Sequence, residues 1–93
     1  MSKEKYRYVD ESVPELYKIN EYWRDCLFLT PMLFEKEYSM FITLKYQHKY
    51  YKLRGCAIND IGPYIALNNK IIQMLKNIGC TEIDVNTKHN FHD

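Results

Sequence analysis

The sequence predicts an α+β fold in two layers, an antiparallel sheet of four strands with both helices on one face, the split βαβ or ferredoxin-like arrangement. Three observations lead there. Apolar side chains recur every three to four residues over 16–27 and again over 61–78, and they alternate with a period of two over 38–57. Short alternating stretches at 5–9 and 81–85 complete the order β-α-β-β-α-β. Ninety-three residues suffice for one domain with a modest core, spanning 1–93 with residues 87–93 as a loose tail.

Residues 5–9, KYRYV, alternate aromatic and basic side chains. They read as a short strand with its tyrosines inward and Lys5 and Arg7 outward. Ser12-Val-Pro-Glu15 has the spacing of a capping box, and Pro14 fits the first turn of a helix, where its missing N–H would have had no partner. Leu16, Ile19, Trp23 and Leu27, with Cys26 beside them, then form one buried stripe. Trp23 and Tyr17 belong to the core on this reading, with their polar atoms reaching partners at its rim. Thr30-Pro31 ends the helix, because proline forces its predecessor out of the α region.

The period changes to two from Tyr38. Met40, Ile42 and Leu44 fall on one side, and Phe41, Thr43 and Lys45 on the other. After a turn at Gln47-His48-Lys49, which lacks the usual Asn-Gly, the alternation resumes with Tyr51, Leu53 and Ala57 against Tyr50, Lys52 and Arg54. Residues 28–37, FLTPMLFEKE, read as a short extra strand or a loop. Asp60 and Gly62-Pro63 offer helix-start chemistry, and the apolar face from Ile61 to Ile78 ends at Gly79, in the position that follows a helix. A last strand covers 81–85, with Ile83 and Val85 inward and Glu82 and Asp84 outward.

Net charge is only +1, but it is unevenly spread. Residues 1–37 carry six basic and eight acidic side chains, residues 38–81 six and one, and residues 82–93 one and three. The near-neutral sum hides a basic middle, concentrated in KYQHKYYKLRG at 45–55. Cys26, Cys56 and Cys80 stand too far apart for a CxxC pair, which fits reduced thiols in a cytoplasmic protein. No stretch approaches the roughly 20 apolar residues that span a bilayer, so no membrane association is expected. Lys, Ile, Asn and Tyr fill 35 of 93 positions, the bias of an AT-rich coding sequence. Phages, low-GC bacteria and large DNA viruses produce such sequences, which favours a small phage or viral accessory protein working in its host's cytoplasm.

Chemistry is not what the residues advertise. Two histidines at His89-x-x-His92 with Asp93 lack the rigid scaffold a metal site needs, and the pairs Glu35/Glu37 and Glu82/Asp84 read as solvated surface. The stretch IIQMLKNIGCTEIDVN resembles the helix and following strand of GNAT-type acetyltransferases. That family's pyrophosphate loop, Q/R-x-x-G-x-G/A, has no counterpart in CAINDIGPYIAL, so the activity is not carried over. No cofactor, metal or catalysis is therefore expected.

If one sheet face is open, Lys5, Arg7, Phe41, Lys45, Tyr50, Lys52 and Arg54 converge on it, with Thr43 among them. Aromatic and arginine side chains of that kind mark protein interfaces. The reading is a small inhibitory or accessory factor that binds a protein partner with an acidic surface, and an exposed edge strand adds a possible route to a homodimer. The alternative is RNA or single-stranded DNA on the same face. Against it, the third strand lacks the K/R-G-F/Y-G/A-F-V-x-F/Y pattern, and the total charge is close to neutral.

Overall fold

The computed structural model describes residues 5–28, 38–57 and 65–89. Six elements follow in the order β1 (Arg7–Tyr8), α1 (Pro14–Phe28), β2 (Tyr38–Tyr46), β3 (Lys49–Ala57), α2 (Ile65–Asn77) and β4 (Thr81–His89). The four strands form one mixed sheet in the order β1-β3-β2-β4. Leu16, Ile19, Trp23 and Leu27 of α1 and Ile71 and Leu75 of α2 share a single core with Met40, Ile42, Leu44, Tyr51 and Leu53 of the hairpin. The stretches read as helix stop (Thr30-Pro31), extra strand or loop (28–37) and second helix start (60–63) lie outside the described residues, save Phe28, which ends α1.

The sheet is not the ferredoxin-like antiparallel one expected. In a split βαβ built on the first helix, β1 runs parallel to β2 with β3 between them; here β1 pairs parallel with β3 and so runs against β2. The split unit belongs to the second half, since β3 and β4 both run antiparallel to the intervening β2 and hence parallel to one another. Strand length gives the physical reason. β4 has nine residues and β1 only two, so β4 beside β1 would leave most of its backbone unpaired, whereas nine-residue β2 offers a full ladder. That ladder also captures Thr87, Lys88 and His89, opposite Met40, Ser39 and Tyr38, which corrects the reading of residues 87–93 as a loose tail over its first three positions.

Local signals explain the helix ends. Pro14 is the first residue of α1, as its chemistry allows. The capping box does not form: the Ser12 hydroxyl donates to Asp10 Oδ1 at 2.6 Å and its N–H to the same oxygen at 2.9 Å. These bonds hold the Asp10 carboxyl below its ordinary pKa, with Arg7 adding a smaller attraction. At the end of α2, Gly79 has φ +97°, its N–H donates to the Lys76 carbonyl, and the Cys80 N–H reaches back to Leu75. This is a Schellman cap, with Cys80 and Leu75 both buried beneath it.

The hairpin turn is a two-residue loop with Gln47 at φ 51° and His48 at φ 70°, the type I′ geometry that suits the twist of paired strands. Gly55 faces the helices. A Cβ there would lie 2.6 Å from Leu27 Cδ1 and 3.4 Å from Trp23 Cζ3, so the absent side chain lets α1 lie close on β3. Gly55→Val should cost about 1–3 kcal/mol by overpacking, read as a lower urea midpoint at unchanged slope.

Candidate binding face

The pleat of the hairpin sets the site. With Met40, Ile42, Leu44, Tyr51 and Leu53 buried toward the helices, their neighbours project from the other side of the sheet. Cross-strand register pairs Phe41 with Arg54, Thr43 with Lys52 and Lys45 with Tyr50. Arg54 is exposed and the other five are partly buried by one another.

β1 and the residue before it add two rings to this surface. Tyr8 stands in register with Lys52 and is 53% exposed, and Tyr6 meets Tyr50 edge-to-face with ring centroids 5.4 Å apart. The expected orientation of residues 5–9 is thereby reversed for the tyrosines, which lie on the open face and not in the core. Arg7 pairs with inward-facing Tyr51 and therefore sits on the helix side of the sheet edge, away from the face assigned to it. Lys5 does join the face, because its Nζ reaches 4.2 Å from the Tyr50 ring. The physical reason is that a two-residue strand carries little register information of its own. Its tyrosines gain more from aromatic and ammonium neighbours here than from a core whose edge Val9 and Val13 already fill.

Lysines lie across the rings. Lys5 and Lys45 both approach Tyr50, at 4.2 and 5.5 Å from its centroid, and Lys52 stands between Tyr8 at 4.9 Å and Phe41 at 5.3 Å. Such cation–π contacts are worth about 0.5–1 kcal/mol each at exposed sites, enough to bias where a flexible lysine rests. One flank is acidic. Glu82, at a β-bulge with φ 53°, approaches Lys45 at 3.9 Å, and Asp84 pairs with Thr43.

Asn20 is a structural residue that the sequence reading passed over. It is buried on α1, and its Oδ1 accepts the Arg54 backbone N–H at 3.1 Å. β1 is too short to cover that part of the β3 edge, so the helix covers it instead. Trp23 Nε1 donates to Asn68 Oδ1 at 2.9 Å, and Lys70 Nζ to the Tyr22 hydroxyl at 2.8 Å, which ties the two helices together. The Tyr22 bond raises the Lys70 pKa.

Among the described residues no cluster of three metal-ligating side chains occurs, and no helix is long and apolar enough to cross a membrane. His92 and Asp93 lie outside those residues, as do Glu35 and Glu37. Burial pushes the Cys80 thiol up to about 11, which keeps it protonated and a poor nucleophile at neutral pH. The depressions beside the hairpin turn (Lys45, Tyr46, Gln47, His48, Ile78, Gly79, Thr81) and beside Val9–Ser12 with Tyr17 are open to solvent. No family model, curated protein or solved structure matches this chain.

Proposed function

We propose that the chain is a non-catalytic binding protein that engages an acidic surface of a protein partner through the open sheet face, as a small accessory or inhibitory factor of phage or viral type. One observation supports this most: Lys5, Lys45, Lys52 and Arg54 are interleaved with Tyr6, Tyr8, Phe41 and Tyr50 on the side of the sheet away from the core. Rings supply contact area at low entropic cost and the cations supply complementarity to carboxylates.

Four rings also suit stacked bases, which keeps single-stranded nucleic acid as the second reading. Lysine placement separates the two. Ammonium groups already rest over Tyr50, Tyr8 and Phe41, so stacking there requires them to move, whereas carboxylates can reach them with the rings in place. Glu82 and Asp84 further narrow the path open to a phosphate chain.

The test is a calorimetric titration with a Glu/Asp-rich peptide and with oligo-dT, each at two salt concentrations. Peptide binding that weakens with salt and falls about tenfold or more in Lys5→Glu/Lys52→Glu supports the proposal. Binding of oligo-dT alone, with a log–log salt slope of roughly −3 for four phosphate contacts, would replace it with the nucleic-acid reading.

A further inference from the structure

We propose that two copies of the chain join edge to edge, β4 pairing antiparallel with β4 of the second copy and Val85 opposite Val85 on the two-fold axis. The inference stands on the sheet edges and on hydrogen-bond parity, independently of the partner that the open face binds.

The two ends of the sheet are treated differently. At one end the outer edge of β3 is covered by β1 and by Asn20. At the other, β4 closes the order β1-β3-β2-β4 with nine residues, and no described residue pairs with its outer edge. A long edge without a neighbouring strand templates pairing with a further strand.

Parity fixes which backbone groups are on offer. The Lys52 carbonyl accepts the Val9 N–H and the Arg54 N–H donates to Asn20, so both residues turn their backbone groups away from β2. Their cross-strand partners Thr43 and Phe41 therefore turn theirs toward β4, where they meet Asp84 and Asn86. Ile83, Val85 and Thr87, lying between and beside those two, direct N–H and C=O to the outer edge, where no described residue pairs with them.

The bulge at Glu82 ends the regular stretch of β4 on that side, and the pairing of residues 83–87 with their copies centres on Val85. In this register Val85 faces Val85 and Ile83 faces Thr87, each pair with its backbone groups turned to the other strand. Charge agrees with it. Asp84 falls opposite Asn86 of the second copy, and no like charges meet over residues 83–87. A slip of one residue breaks the hydrogen-bond parity, and a slip of two toward the start of β4 brings Asp84 against Asp84. Ile83 and Val85, partly buried on the helix side, would gain cover. The two-fold axis stands perpendicular to the sheet, so the eight-stranded product carries both open faces on one side and presents two basic, aromatic patches to a single partner.

Sedimentation equilibrium of the full chain over a range of concentrations tests this. The expected result is a concentration-dependent species of twice the 11.3 kDa chain mass. Val85→Pro removes an N–H that faces the outer edge of β4 and not β2, and should dissociate the dimer while circular dichroism stays native. Asn86→Asp, which sets a second carboxylate against Asp84 of the other copy, should weaken the dimer about tenfold. A monomer at all concentrations, or a dimer indifferent to both substitutions, overturns the proposal. Loss of peptide binding without loss of the dimer bears on the open face alone.

Discussion

Trp23→Ala is expected to be the most damaging single substitution, lowering unfolding free energy by about 3–5 kcal/mol. A domain of this size has only about 5–15 kcal/mol to lose. Trp23 is fully buried on α1, lies against the bare backbone of Gly55 and donates its indole N–H to Asn68 on α2, so it joins sheet, first helix and second helix at one point. Alanine leaves a large cavity and an acceptor without its donor. Trp23→Phe keeps most of the packing and loses the hydrogen bond, and should cost markedly less. Urea unfolding followed by circular dichroism reads both, since Trp23 is the only tryptophan and its fluorescence disappears with it. Equal costs for the two variants would mean that the Asn68 bond, and not the packing, carries the effect.

Stabilisation is expected at the hairpin turn. Gln47 and His48 both occupy the left-handed region, where a side chain costs about 1–2 kcal/mol relative to glycine, and both are exposed. Gln47→Asn with His48→Gly supplies the residues that type I′ turns favour and should raise stability by about 1–2 kcal/mol. A thermal midpoint roughly 4–8 °C higher per kcal/mol is the readout. An unchanged or lower midpoint would show that the turn side chains make compensating contacts, or that the loop is of another type.

Much of the architecture was legible because it rests on local periodicity. The alternation of Met40, Ile42 and Leu44 against Phe41 and Lys45 assigns the hairpin faces, and the apolar run ending at Gly79 announces its own cap. Pairing partners were less legible. Nothing in TEIDVNTKH says that it lies beside β2, because neighbour choice follows from matched strand lengths that appear only after folding. KYRYV reads equally well with either set of side chains inward, and the decision comes from Tyr50, Lys52 and Phe41, over forty and thirty residues away. The open face of the sheet was accordingly legible at Phe41, Lys45, Tyr50, Lys52 and Arg54, held by the hairpin's own pleat. Arg7 lies on the other side of the sheet edge, and Tyr6 and Tyr8 join the open face unannounced. Asn20 did leave a signal: a polar residue between Leu16 and Trp23 on a buried stripe requires a partner, here the β3 edge.

The proposed docking place for an acidic partner is one surface, the aromatic and cationic side of the sheet. Backbone amide shifts recorded during titration with a Glu/Asp-rich peptide address it residue by residue. Salt-sensitive changes are expected at residues 5–8, 41–45 and 50–54, with the exposed faces of α1 and α2 silent. Changes centred on the helices, or none along β3 at saturating peptide, would contradict it.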